Sequence, residues 1–94
     1  MNVKVAECRI RKMKTKWGTC NVKEKRIWLN LELVKKPIEY IEYILVHEMI
    51  HLIERRHNDQ FIVYLNRYIP KWKHCKEELN RSALGYIDWH SHYF

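Results

Sequence analysis

His47, Glu48 and His51 stand in the order His-Glu-x-x-His, and these side chains at this spacing can carry out metal-assisted hydrolysis. On a helix, residues four apart lie ~40° apart around the axis and one turn along it. Both imidazoles can therefore reach one ion from the same face. Glu48, beside them, can reach the ion's water rather than the ion. Zinc lowers the pKa of a bound water toward ~7, and a carboxylate can then take its proton as the oxygen attacks a polarised carbonyl. The surrounding Ile44, Leu45, Val46, Ile50 and Leu52 supply the apolar shell that such a site requires.

A catalytic zinc usually takes three protein ligands and keeps one position open. His57 follows His51 by six residues and completes HExxH-x5-H, the spacing of the metzincin-type motif HExxHxxGxxH. The glycine that ends the helix in that motif is Glu54 here, so the expected turn falls at Arg55–Arg56. Competing third ligands are Glu77 or Glu78 further along the chain, as in gluzincins, and the nearby Glu54 or Asp59. His74, His90 and His92 read as surface residues or polar groups of a substrate site.

The elements that must position these residues follow from periodicity. Val3 to Lys16 alternates short apolar residues with Lys and Arg and reads as a strand with a slip near Val5–Ala6. Trp17 to Lys25 reads as a hairpin connection. From Arg26 the alternation is clean, with Ile27, Leu29, Leu31 and Leu33 on one face and Trp28, Asn30 and Glu32 on the other. Pro37 suits a first helical position, and the apolar series Ile38, Ile41, Ile44, Leu45, Met49, Leu52 and Ile53 predicts a helix closed by Arg55 and Arg56. Asn58 is a good cap for a second helix with Phe61, Leu65 and Tyr68 inward, ended by Pro70. A third helix starts near Lys71 with Trp72, Cys75 and Leu79 inward and Gly85 beyond it. The expected fold is α+β: a small antiparallel sheet or hairpin, an active-site helix and two further helices.

The 94 residues are enough for one domain, expected over 1–94. Their 47% hydrophobic and 13% aromatic content argues for a packed globule. No run reaches the ~18 uninterrupted apolar residues of a membrane span, and the polar start is unlike a secretory signal, so no membrane and a cytoplasmic setting are expected. Cys8, Cys20 and Cys75 form no Cys-x-x-Cys pair and read as small thiols. The net charge of +7 is uneven, about +8 over residues 1–36 and −1 over 37–94. The basic half could meet a nucleic acid or an acidic partner, or simply be a solvated sheet surface.

Trp17-Gly18-Thr19-Cys20, then Arg26-Ile27-Trp28-Leu29-Asn30, Pro37, Val46-His47-Glu48-x-x-His51-Leu52 and His57-Asn58-x-x-Phe61 resemble the YgjP-like metal-dependent hydrolases. That family typically shows a WGSC turn, an I-x-LN strand, a proline, VHELxHL and NHSxxFW, in this order and spacing over roughly residues 9–75. Thr19 and Asn58 stand where the family usually has serine, Arg56 where it has asparagine, and Ile62 where it has tryptophan. The resemblance implies a compact zincin-like domain, related to the minigluzincins and SprT-like proteases. It implies His47, His51 and His57 as ligands and Glu48 as base. It also implies that the strand around Arg26–Leu31 lies beside the cleft, where an extended peptide could pair with its edge, which makes Trp28 and Asn30 candidate substrate-binding residues. Members commonly have a longer N-terminus, so a minimal version or a cut domain is expected.

The leading expectation is thus a zinc metallopeptidase or related hydrolase acting on a peptide or protein, with Tyr64, His74 and Tyr86 as candidates to stabilise the oxyanion. The alternative is a nucleic-acid-associated module in which zinc is structural and the basic half docks phosphates. A metal-binding protein without turnover is the third reading.

Overall fold

In the computed structural model, which describes residues 3–14 and 16–81, the site is framed by a small sheet and the helices laid over it. Ile27 and Leu29 alternate with Trp28 along β3 (Arg26–Asn30), and the two-residue period turns both aliphatic side chains onto one buried face. β3 is the central strand, in the order β1-β3-β2, with β1 at Glu7–Arg11 and β2 at Gly18–Asn21.

The sheet is mixed, which corrects the antiparallel expectation. β2 and β3 form the antiparallel hairpin, with Gly18 opposite Leu29 and Asn21 opposite Arg26. β1 runs parallel to β3, with Cys8 beside Ile27 and Ile10 beside Leu29. The alternating stretch from Val3 to Lys16 is therefore not one strand. It pairs only as far as Arg11 and then crosses over to reach the far side of β3 as β2. The segment expected to be a connection is itself that strand, and the turn is confined to residues 22–25. There Asn21 Oδ1 accepts a hydrogen bond from the Glu24 N–H at 3.1 Å, and Lys25 takes a left-handed φ of 53° to reverse the chain.

Asn30 explains why the alternation after Arg26 does not continue. Its wholly buried side chain donates to the carbonyl oxygens of Met13, at 2.8 Å, and Lys16, at 2.7 Å. Its Oδ1 accepts from the Glu32 N–H at 3.0 Å and caps α1 (Leu31–Val34), a single turn where the sequence pattern predicted strand. One amide thus ends β3, starts α1 and ties down the crossover. Leu33 is buried from α1, whereas Leu31 is left 46% exposed, which the strand reading did not allow.

α2 (Ile38–His51) packs across β2 and β3, and both α3 (Asp59–Tyr68) and α4 (Trp72–Arg81) pack on α2. Pro37 is the N-cap rather than the first helical residue. Asn58 caps α3 as expected, accepting from the Phe61 N–H at 3.1 Å, a contact worth about 1 kcal/mol. Phe61 and Leu65 from α3, with Trp72, Cys75 and Leu79 from α4, enter a core shared with Trp17, Ile27, Leu29, Tyr43, Ile44 and Ile50. Among the described residues no helix is long and apolar enough to cross a membrane. Gly85 and the tail histidines His90 and His92 lie outside the described residues.

Candidate active site

His47 and Glu48 lie in the last turns of α2, both fully buried, and His51 is its final helical residue. The helix stops there because the chain tightens. The N–H groups of Leu52 and Ile53 bond back three residues to Met49 and Ile50, at 3.0 and 2.9 Å, and the Glu54 N–H bonds to Ile50 at 2.7 Å. Arg55 and Arg56 therefore lie beyond the helix instead of forming its last turn. The reversal begins earlier than expected, at Leu52, and needs no glycine, since Lys25 is the one non-glycine with positive φ among the described residues.

This turn brings His57 back over the end of α2. Nε2 of His57 lies 2.9 Å from Nε2 of His51. The ring centroids of His47, His51 and His57 are 4.8–5.1 Å apart, and one nitrogen from each falls within 4.8 Å of the other two. Imidazole nitrogens sharing one tetrahedral zinc at ~2.1 Å stand ~3.4 Å apart, so the donor set and its spread fit such an ion. Among the described residues no other set of three His, Cys, Asp or Glu side chains converges in this way. Glu77 and Glu78 are not part of the group, and Glu78 is paired with Arg81 at 2.5 Å. His74 sits by Tyr40, about two turns of α2 from His47.

Phe61 is the hub beneath this cluster. Its ring centroid is 4.8 Å from that of His47, 4.7 Å from His51 and 4.9 Å from His57. The Asn58 cap sets the first turn of α3 and hence the position of Phe61, so the capping bond helps to orient the imidazoles. On the other side Tyr43 stacks on His47 with ring planes 9° apart.

Gly18 lets the sheet approach Glu48. A Cβ there would lie 2.7 Å from Ile44 Cγ2, 3.3 Å from the Trp28 carbonyl oxygen and 3.4 Å from Glu48 Cγ. Only a residue without a side chain lets β2 lie so close to α2. The resulting cleft, about 360 Å³, has Thr19, Cys20 and Val22 on the sheet side. Glu48, His51, Arg55 and His57 form the helical side. Burial, reinforced by the Glu48 charge, pushes the Cys20 thiol up to about 11, so at neutral pH it is a protonated wall residue and not a nucleophile. Burial, followed by the charges of Cys75 and Glu48, raises the Tyr43 hydroxyl as well.

Three imidazoles converging beside a buried carboxylate on a helix laid against a sheet edge point to a hydrolytic metal centre, and comparison with known proteins agrees. The family described as YgjP-like, metallopeptidase domain, matches residues 1–82. This chain belongs to the YgjP-like metallopeptidase family. The crystal structure of the metallopeptidase zymogen of Pyrococcus abyssi abylysin shares the fold, with a TM-score of 0.73 at 23% identity over 81% of this chain and 77% of that one. No curated protein matches the chain. The family and the fold are those of metallopeptidases, which use a metal ion and act on peptides or proteins.

Two expectations about substrate residues need correction in this YgjP-like domain. Trp28 points to the face of the sheet opposite Ile27 and Leu29, under the guanidinium groups of Arg9 and Arg11, and does not line the cleft. Asn30 is buried with its amide bonded to the crossover and to α1, so it holds structure instead of facing a ligand. β3 lies between β1 and β2, so among the described residues the strand that borders the cleft is β2. The sequence reading passed over Cys20, Val22 and Arg55 as cleft residues and took Phe61 as core alone. The family motif containing Gly18 and Phe61 was the available signal for those two. Nothing in the pattern singled out Val22 or Arg55.

Proposed function

We propose that this domain is a zinc-dependent peptidase in which His47, His51 and His57 hold the ion and Glu48 is the catalytic base. The convergence of three imidazole nitrogens beside buried Glu48, at the floor of an open cleft, carries this reading. When bound, zinc would polarise the scissile carbonyl and make a water acidic enough to give up its proton near neutral pH. Glu48 takes the proton from the attacking water and delivers it to the leaving amine, while the apolar shell of Ile44, Ile50 and Phe61 excludes competing solvent. Phe61 and Tyr43 hold the rings in place. An extended peptide would lie in the cleft along Thr19, Cys20 and Val22 of the sheet side, opposite His51, Arg55 and His57. Three free thiols, Cys8, Cys20 and Cys75, support a reducing, cytoplasmic setting.

Zinc stoichiometry by elemental analysis tests the metal half of the proposal. Wild-type protein is expected to carry one zinc, and His57→Ala to lose it. Full zinc affinity in His57→Ala would remove His57 from the ligand set. Glu48→Gln is expected to keep zinc and to cleave an unfolded protein substrate at least about 100-fold more slowly than wild type. Retained turnover in that variant would remove Glu48 from its role as base.

A further inference from the structure

The crossover between β1 and β2 forms a second pocket, about 450 Å³, lined by Arg11, Lys12, Met13, Lys14, Lys16 and Thr19. Among the described residues its cations face no compensating acid. The ion pairs among the described residues join Arg9, Arg26, Lys35 and Arg81 to Glu7, Glu24, Glu32 and Glu78, and none involves Arg11, Lys12, Lys14 or Lys16. The lysines do not ride on a loose loop. The Asn30 amide, fully buried, grips the Met13 and Lys16 carbonyls from below and fixes the crossover that carries them. Four like charges lining one pocket repel one another, a cost that an anionic ligand relieves.

Thr19 belongs to both pockets and is the wall between the lysines and the catalytic cleft. An extended chain advances ~3.3 Å per residue, so a peptide lying in the cleft enters the basic pocket within roughly three residues. From this we propose that Lys12, Lys14 and Lys16 form a subsite for an acidic side chain, and that the domain prefers peptides carrying Asp or Glu within a few residues of the scissile bond. The proposal rests on the peptidase reading for its link to the cleft, but the pocket is independent of the metal. A nucleic acid is the less favoured occupant. The aromatic ring on that face of the sheet, Trp28, already has the guanidinium groups of Arg9 at 5.5 Å and Arg11 at 4.5 Å over it, so a stacking base would compete with them.

Fluorescence anisotropy on the zinc-loaded Glu48→Gln protein tests this. The probes are a labelled hexapeptide with two Glu, its counterpart with two Gln, a labelled thymidine hexanucleotide and a neutral peptide hydroxamate that reports the metal centre. At physiological salt the Glu peptide is expected to bind about tenfold more tightly than the Gln peptide. Lys12→Glu/Lys14→Glu/Lys16→Glu should erase that difference and leave hydroxamate binding intact. A charge-matched control on α3 and α4, Arg67→Glu/Lys73→Glu/Lys76→Glu, should preserve it. Equal binding of the two peptides, or equal loss in the remote control, would overturn the subsite, as would tighter binding of the oligonucleotide than of the Glu peptide. If the hydroxamate binds and the Glu preference is absent, the subsite fails while the peptidase reading stands. If the Glu preference is present but the hydroxamate does not bind, the peptidase reading fails and takes the pocket's substrate role with it.

Discussion

The two sides of the sheet are built on opposite principles. On the helical side, His47, Glu48, Phe61, Tyr43 and Ile44 are buried, His47 is held between the Tyr43 and Phe61 rings, and Glu48 meets the cleft at its floor. On the outer side, Arg9 and Arg11 lie over Trp28, and the crossover lysines line a solvated pocket. A low-dielectric environment strengthens each interaction and penalises each misplaced group, whereas exposed charges are screened and individually weak. Chemistry that depends on sub-ångström placement belongs on the first side, and broad attraction of a substrate on the second.

Perturbing each side in turn can break that contrast. The largest effect is expected from His51→Ala, which removes one of the three proposed ligands. Zinc affinity should fall by at least about a thousandfold in a competition titration against a chelator. A fall of less than tenfold would mean that the cluster is not the metal site. Phe61→Ala should come next, lowering stability in urea by about 3–5 kcal/mol and weakening zinc binding by roughly 10–100-fold, because the ring supports all three imidazoles. Stability loss with unchanged zinc affinity would reduce Phe61 to a core residue.

Gly18→Ala is expected to cost about 1–3 kcal/mol, since the new methyl must displace Ile44 or Glu48, and to slow any peptide cleavage more than its stability loss accounts for. An unchanged midpoint in a thermal melt would show that β2 can shift away from α2 freely. The smallest effect is expected on the outer side. Arg11→Ala should change unfolding free energy by less than about 1 kcal/mol, the usual size of an exposed cation–π contact. A loss comparable to that of Phe61→Ala would erase the distinction between the two faces.

The legible parts of this protein were those that short-range periodicity encodes. The helical face bearing His47 and His51, the Asn58 cap, and the inward stripes Phe61–Leu65 and Trp72–Cys75–Leu79 all depend on neighbours within a few residues. The central strand was legible for the same reason, through Ile27 and Leu29. The burial of Asn30 was not legible, because the alternation runs through it unbroken while its partners Met13 and Lys16 are distant along the chain. The direction of β1 was equally hidden, since a strand has the same alternation whether its partner runs with it or against it.

By itself, the sequence determined which residues could serve a metal: a His-Glu-x-x-His helix and a nearby His57, because helical geometry converts spacing into direction. Tertiary structure decided that His57 turns back to meet the other two, through the early stop at Leu52 and the Asn58–Phe61 cap. It also decided that β2, not β3, borders the cleft, and that the crossover lysines gather into one pocket beside Thr19. These outcomes depend on which distant segments pack together, and long-range packing leaves no local period in the chain.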